Sequence, residues 1–174
     1  VMGKAHYWGT SEWSAERINE AIDYAEKHGL HAPQMEQPQY SLFERRKFES
    51  EIGPTLKSQR YGTTTWSPLA SGILSGKYDD GIPAGSRLES EEWLRAGLTD
   101  ERLSKVRELK SFADELGCSR SQLAIAWCAK NPLVTTVITG ASKLEQLHEN
   151  LGALEVMAKL DEGVMAKLDR LFPA

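Results

Sequence analysis

Two stretches of the sequence combine residue types that suit the binding of a planar, anionic ligand. The first follows a threonine-rich run with the composition of a β-strand, and it reads Trp66-Ser67-Pro68-Leu69-Ala70-Ser71-Gly72. The tryptophan offers a flat surface for a planar ring, and a proline without an N–H fixes the turn. The alternative interpretation is a core tryptophan beside a tight turn.

The second stretch, Gly140-Ala141-Ser142-Lys143, joins a predicted strand to a predicted helix. At such a junction, free backbone N–H groups and the positive helix end make an anion site. A polar stripe follows along the helix, made of Ser142, Gln146, Glu149 and Asn150. This stripe is either part of a binding site or a solvated helix face. On the opposite side we expect a buried stripe of Leu144, Leu147 and Leu151.

Short strand-like runs alternate with amphipathic segments, which is typical of a parallel sheet in an α/β architecture. We predict strands at residues 5–9, 33–37, 63–66 and 134–139. The helix after the first strand is capped by Ser14, and the next carries Phe48, Ile52 and Leu56. Residues 67–98 are rich in glycine, and irregular segments of this length are usually binding loops, lids or disordered.

Helical signals continue to the end of the chain. A helix is predicted at residues 99–116 with Gly117 as its stop, and Ser119 and Gln122 form a capping box for another. Ser142 and Glu145 have the same spacing. The hexapeptide Val-Met-Ala-Lys-Leu-Asp occurs at 156–161 and again at 164–169. We expect the first copy to be mostly loop and the second to be helical, with Asp161 as its cap.

The composition narrows the function classes. With 174 residues, 26% of them charged, and a formal net charge of −4, the chain suits one globular domain and not nonspecific binding of nucleic acid. No apolar run approaches the roughly 20 residues of a membrane span, and no secretory leader is recognisable. Cys118 and Cys128 lack metal or redox spacing, so we expect free thiols in a reducing, cytoplasmic compartment. The four histidines also lack metal-ligand spacing, and no metal site is expected.

Four strand-and-helix units make half of a (β/α)8 TIM barrel, because a complete barrel typically takes about 250 residues. We therefore predict an α/β half-barrel, formed by one partial domain over residues 1–174. In barrels the carboxyl ends of the strands line the active face. Both stretches described above would lie on that face.

Four groups of residues together resemble the aldo-keto reductases, and most closely the branch that contains voltage-gated potassium channel β-subunits. They are Tyr7-Trp8-Gly9-Thr10-Ser11-Glu12-Trp13, Glu36-Gln37, the run at 66–78 and the segment from Gly140-Ala141-Ser142 to Glu149-Asn150. Leu123-Ala124-Ile125-Ala126-Trp127-Cys128 strengthens the resemblance. It covers nearly the whole chain, and it matches the C-terminal half of the family, strands five to eight.

The resemblance implies an NADPH site. Ser11 and Gln37 would hold the nicotinamide amide, and Trp66 would stack on the nicotinamide ring. The loop of Ser67, Pro68, Leu69 and Ser71 would follow the ribose and pyrophosphate. Lys77 would meet the pyrophosphate, and Arg87 the adenine side or the 2′-phosphate. Gly140 opens the segment in which Ser142, Gln146, Glu149 and Asn150 would bind the adenosine end.

Three positions depart from the channel subunits. Glu12 stands where they commonly have arginine, which reverses a charge near the cofactor, and Gly85 stands where they have tyrosine. Ser71 in place of their cysteine is a minor change. The family reduces carbonyl substrates with a tyrosine as proton donor, supported by lysine, aspartate and usually histidine. Those residues belong to strands one to four, so we assign no catalytic residue here.

Three interpretations follow from this combination. The chain is part of an NADPH-dependent carbonyl reductase or channel β-subunit-like protein, a non-catalytic dinucleotide-binding module, or a half-barrel that mainly self-associates. Unpaired sheet edges invite pairing with another chain, so we expect a homo-oligomer or a complementary barrel half as partner. No feature distinguishes a channel partner from a free-standing reductase. Alone, the chain is expected to show no turnover.

Overall fold

The structure, a computed structural model, describes residues 3–174. The strands are β1 (Met35–Glu36), β2 (Gly62–Thr65) and β3 (Thr136–Val137). The helices are α1 (Ala15–Lys27), α2 (Gly53–Ser58), α3 (Arg87–Ser90), α4 (Asp100–Leu116), α5 (Arg120–Lys130), α6 (Leu144–Leu151), α7 (Ala153–Met157) and α8 (Glu162–Leu171). A π-helical segment (Lys47–Ile52) runs directly into α2, and 3-10 turns cover Ala70–Ser75 and Glu92–Gly97.

The strands form a parallel sheet in the order β1-β2-β3. The predicted strand at residues 5–9 is wrong as placed, because pairing with the first strand runs along residues 8–10 and is too short to make a named strand. Its hydrogen bonds join the Gln34 amide to the Trp8 carbonyl and the Thr10 amide to the Met35 carbonyl, both at 2.9 Å. The strand predicted at 134–139 is reduced to two residues. Each of the two outer segments has a neighbouring strand on one side only, which limits the length of its backbone hydrogen-bond ladder.

One face of the sheet is buried and the other is partly exposed. Successive side chains of a strand point to opposite faces, and residues paired across parallel strands share a face. Glu36, Thr63 and Thr65 are buried on the face that packs against helices. Met35 and Thr64, on the other face, are half-buried. Parallel sheets are normally covered on both faces, so this open face has the character of an interior surface that a second layer would cover.

The core lies between the covered face and the helices. α5 is its centre, since residues 123–128 are all buried there. The ring of Tyr40 lies 5.0 Å from that of Trp127 and 4.3 Å from that of Phe48. Arg45 places its guanidinium 5.0 Å from the Trp127 ring and donates to the Phe172 carbonyl at 2.5 Å. This contact ties the last helix to the core.

Four of the helices, α1, α4, α5 and α8, begin at a residue whose side chain caps them. Ser14 accepts from Arg17, Thr99 from Arg102, and Asp161 from Val164. Ser119 and Gln122 form the predicted capping box. The second copy of the hexapeptide is helical, as predicted, and the start of the first copy lies in α7. Cys118 and Cys128 are free.

The prediction for α6 is wrong in two respects. Ser142 and Glu145 form no capping box, because Lys143 is the N-cap residue and both the amide and hydroxyl of Ser142 bond to the Gln146 side chain. The leucine stripe is not buried: Leu144, Leu147 and Leu151 are 64%, 42% and 56% exposed. The helix instead turns its polar side inward. Local spacing predicts an amphipathic helix but does not determine which face meets the rest of the molecule.

The glycine-rich segment after β2 is held against the helices by two arginines, one through an ion pair and one through a hydrogen bond to a backbone carbonyl. Arg120 of α5 donates to Asp79 at 2.7 Å and to the Val106 carbonyl at 3.2 Å. Arg107 of α4 donates to the Asp79 carbonyl at 2.7 Å. These contacts hold the part of the segment around Asp79 against α4 and α5. Of the helices described between residues 3 and 174, none has the length and apolar character needed to cross a membrane.

Candidate functional site

Several of the predicted site residues meet at the carboxyl ends of the strands, on the open face of the sheet. The Ser11 hydroxyl donates to the Gln37 carbonyl at 2.9 Å, and the Gln37 side-chain amide donates to the Thr64 hydroxyl at 3.3 Å. Trp66 follows β2 directly and is half-buried, with a bridge to Gln39. The structure thus brings Ser11, Gln37 and Trp66 to one edge of the sheet.

Glu12 is the main contact that the sequence reasoning missed at this edge. One of its oxygens, Oε1, accepts from the Trp66 indole N–H at 3.0 Å and from the Gln39 amide at 2.5 Å. The other, Oε2, pairs with the Lys47 ammonium at 2.5 Å. Glu12 was noted only as a departure from related sequences. Its position beside Ser11 was a usable signal, but nothing in the spacing identified Lys47 as its partner.

The electrostatics of this contact favour an ionised Glu12. Partial burial alone would raise the pKa of the carboxyl group, since it disfavours the charged form. Hydrogen bonds from Lys47, Gln39 and Trp66, together with the Lys47 charge, outweigh that effect and lower the pKa below its usual value. The carboxylate is therefore a stable hydrogen-bond acceptor for the indole at neutral pH.

The loop after Trp66 adopts a rarely populated backbone conformation. Ser67, Ala70 and Ser71 have φ angles of 57°, 47° and 59°, and Gly72 has 92°. Each non-glycine residue held there costs on the order of 1–3 kcal/mol, and such strain clusters at binding sites. Within residues 3–174, no acceptor is positioned for the amides of Ser67 and Leu69. The loop thus offers two free N–H donors directly after the strand.

Lys77 returns to this loop after one further turn of chain. A Cβ atom placed on Gly72 would lie 2.6 Å from Cε and 2.7 Å from Nζ of Lys77, so a larger residue at this position would displace the end of the lysine side chain. The ammonium is also 5.0 Å from the centre of the Tyr78 ring. Lys77 is exposed and brings a positive charge next to the strained loop.

The second cluster lies between β3 and α6. The Asn150 side chain donates to the Gly140 carbonyl at 3.5 Å and is buried. Glu149 accepts from the Ser119 hydroxyl at 2.6 Å, a partner that the sequence did not indicate. These contacts direct Glu149 and Asn150 towards the rest of the protein, whereas Ser142 and Gln146 bond to each other at the start of the helix. The alternative of a solvated helix face therefore does not hold for Glu149 and Asn150.

The two clusters are neighbours along the sheet edge. The Ile138 amide donates to the Thr65 carbonyl at 2.8 Å, which places the start of the Gly140 segment beside Trp66. Arg87 stands apart from both. It begins α3 and is exposed, and no hydrogen bond or ion pair within residues 3–174 joins its guanidinium to the other site residues.

Two of the tyrosines, Tyr40 and Tyr61, have pKa values shifted away from those of a proton donor. Burial raises the pKa of Tyr40, and burial likewise raises the pKa of Tyr61. Tyr78 is buried with its hydroxyl 3.5 Å from the Ser71 carbonyl, and Tyr7 and Tyr24 are exposed. A general acid for carbonyl reduction needs a pKa shifted towards neutrality, which is the opposite direction.

Comparison with known proteins gives a consistent result. Residues 1–172 match the model of the aldo/keto reductase family. The chain is 52% identical over 171 residues to a protein of Oryza sativa subsp. japonica named "Probable voltage-gated potassium channel subunit beta", covering 96% of this chain and 52% of the relative. A "Putative voltage-gated potassium channel subunit beta" of Schizosaccharomyces pombe is 48% identical over 174 residues, with 97% and 51% covered. A "Probable voltage-gated potassium channel subunit beta" of Arabidopsis thaliana is 48% identical over 173 residues, with 97% and 53% covered.

The chain spans about half the length of these curated relatives.

Proposed function

The chain belongs to the aldo/keto reductase family, and we propose that it forms the NADPH-binding half of that family's barrel. The family implies a TIM-barrel fold and generally uses NAD(P)H. In our proposal residues 1–174 are one partial domain that corresponds to strands five to eight with their helices. The parallel sheet with one uncovered face supports this assignment, because a second half-barrel would cover that face.

One observation carries the proposal: the strained loop from Ser67 to Gly72 lies directly after Trp66, with Lys77 returned against Gly72. A flat indole and two free amides thereby follow one another at the carboxyl edge of the sheet, and an ammonium group lies at the far end of the same loop, against Gly72. A nicotinamide ring needs the first of these, and a pyrophosphate needs the others. The donor set fits a dinucleotide.

The remaining predicted residues take roles consistent with their positions. Ser11 and Gln37 hold the nicotinamide amide, and the inward polar side of α6 holds the adenosine end. Gln146 and Glu149 already bond to Ser142 and Ser119, so binding adenine requires an exchange of these hydrogen bonds. Arg87 reaches the 2′-phosphate from the edge of the glycine-rich segment.

NADPH, when bound, supplies the hydride that the family transfers to an aldehyde or ketone. In our proposal this chain binds and orients the dinucleotide, and no residue of it is assigned as the proton donor. The complementary half of the protein supplies the acid in our proposal. In this proposal the whole protein is a cytoplasmic carbonyl reductase. Because its relatives are named as voltage-gated potassium channel β-subunits, such a channel is the class of partner to test.

A fluorescence titration with NADPH tests the proposal. We expect saturable binding with one site per chain, seen as energy transfer from tryptophan to the nicotinamide. A carbonyl-reduction assay on the same sample should show no turnover. The absence of saturable binding would contradict the proposed function, and turnover by this chain alone would contradict the division of labour between the halves.

A second candidate function, self-association, is favoured by a specific observation. Leu144, Leu147, Leu151 and Leu154 expose a continuous apolar side of α6 and α7, and Leu154 is 65% exposed. In the chain, α6 follows the edge strand β3. Contiguous apolar surface of this kind marks an interaction site, and a second copy of the chain could cover it together with the open sheet face.

A further inference from the structure

Glu12 stands in a conformation that is unusual for a side-chain-bearing residue. Its φ angle is 61°, in the left-handed region that favours glycine. It lies in the loop between the edge segment at residues 8–10 and α1. Holding a glutamate in this conformation costs free energy, which suggests that its side chain has a functional role.

The contacts of Glu12 join three successive strand ends and one helix. Its carboxylate accepts from the amide of Gln39, after β1, and from the indole of Trp66, after β2. Lys47, at the start of the π-helical segment, binds both the carboxylate and the Glu12 carbonyl, the latter at 2.9 Å. No other residue described in the structure contacts all of these elements through one side chain.

The indole of Trp66 needs such a contact to have one orientation. Rotation about χ2 of a tryptophan is broad, so a half-exposed ring at the end of a strand is not fixed by its backbone. A charge-assisted hydrogen bond to the indole N–H selects one plane for the ring. The Lys47 ammonium compensates the carboxylate charge, which would otherwise repel a phosphate-bearing ligand.

We propose that Glu12, balanced by Lys47, is a positioning residue that fixes the plane of the Trp66 indole for stacking on the nicotinamide ring. The inference rests on the proposed function, since it assigns Trp66 to the nicotinamide. Its structural part, that Glu12 orients the indole, is independent of any ligand.

Two measurements on the same variants test it: the indole ¹H–¹⁵N resonances of the five tryptophans, and the affinity for NADP⁺. Trp66→Phe assigns the Trp66 signal. We expect Glu12→Ala to shift that signal, to remove its protection from hydrogen exchange, and to weaken NADP⁺ binding about tenfold. Glu12→Gln keeps an acceptor oxygen and should restore the signal and bring the affinity within about threefold of wild type. Glu16→Ala, at an exposed acid of α1, is the matched control and should change neither.

The possible outcomes separate the inference from the proposed function. If wild type binds NADP⁺ and Glu12→Ala changes neither the indole signal nor the affinity, the inference is overturned and the proposed function stands. If wild type does not bind NADP⁺, the proposed function fails, and the indole signal alone decides whether Glu12 orients Trp66.

Lys47→Met provides a second variant should Glu12→Ala not fold. It removes the partner of Oε2 and of the Glu12 carbonyl, and it leaves the sequence of the loop that contains Glu12 unchanged. We expect a smaller change of the Trp66 signal and of the affinity in the same direction. An unaltered signal with unaltered affinity would contradict the role given to the ion pair.

Discussion

Trp66 connects the sheet to the proposed site, because it lies between the end of β2 at Thr65 and the strained loop that begins at Ser67. Its half-buried indole is bonded to Glu12 and faces the side of the sheet that carries Gln37 and Thr64. A core tryptophan, by contrast, is enclosed on all sides, as Trp127 is. The structure therefore favours a surface role for Trp66.

Replacing Trp66 with alanine should weaken NADPH binding by about tenfold. Stacking of an aromatic side chain on a planar base is worth roughly 1–3 kcal/mol, and alanine removes it. Trp93→Ala is a suitable control, since Trp93 is 71% exposed and lies in another segment. Isothermal titration measures both variants. Equal affinities for the Trp66 variant and wild type would remove Trp66 from the site.

Replacing Arg87 with alanine should lower the preference for NADPH over NADH. In our assignment its guanidinium pairs with the 2′-phosphate, so we expect NADPH affinity to fall about tenfold and NADH affinity to stay the same. Arg17→Ala, an exposed arginine of α1, controls for net charge. A parallel loss for both nucleotides, or no loss, would contradict this role.

For individual residues, the sequence indicates which residue types line the proposed site but not which residues they hydrogen-bond to. Ser11, Gln37 and Trp66 lie at one edge because parallel strands end there, and their role in binding a cofactor stays a prediction. The pairing of Glu12 with Lys47 and of Glu149 with Ser119 spans 35 and 30 residues of chain. Such contacts depend on tertiary packing and leave no local pattern.

Among the elements, the segment after β2 depends on glycine at position 76. Gly76 has a φ of 80°, and a Cβ there would overlap the Arg120 guanidinium, which holds Asp79. The Arg120–Asp79 pair is well buried, with side-chain exposures of 15% and 22%. This glycine is therefore needed both for backbone conformation and for space.

Gly76→Ala should destabilise the protein more than Gly85→Ala. Both glycines have positive φ, and alanine there costs about 1 kcal/mol, but a Cβ on Gly85 meets no atom within 4 Å. We expect an additional loss of about 1–3 kcal/mol for Gly76→Ala, because the buried charge of Asp79 loses its partner. Urea denaturation measures the two variants. Equal losses would show that Arg120 moves aside without cost.

Helices were predicted more reliably than strands, for a physical reason. Caps such as Ser14, Thr99 and Ser119 act within four residues, so the sequence contains the whole interaction. Strand length depends on a neighbour, and the outer segments at residues 8–10 and 136–137 have a partner on one side only. The reversed orientation of α6 has the same origin, since its leucines have nothing to cover them within the described residues.

For the molecule as a whole, the uncovered sheet face and the exposed leucines of α6 and α7 are the main unsatisfied surfaces. Burying apolar area contributes about 25 cal/mol per Å². Isolated strand edges add unpaired backbone groups. We therefore expect the 174-residue chain to associate with itself or with a complementary half.

Sedimentation velocity tests this expectation directly. The chain should sediment as a dimer or larger species, and Leu147→Lys with Leu151→Lys should shift it towards monomer without loss of helical circular dichroism. Leu30→Lys, at an exposed leucine outside this surface, should have no effect. A compact wild-type monomer that unfolds cooperatively would contradict the prediction.

Hydrogen exchange with and without NADP⁺ tests, at the level of peptides, whether the carboxyl edge of this sheet binds the dinucleotide. We expect slower exchange on addition of NADP⁺ in two segments, residues 66–77 and 140–150, with α4 and α8 unchanged. Exchange that does not respond to NADP⁺, or slows only outside these two segments, would contradict binding at this edge.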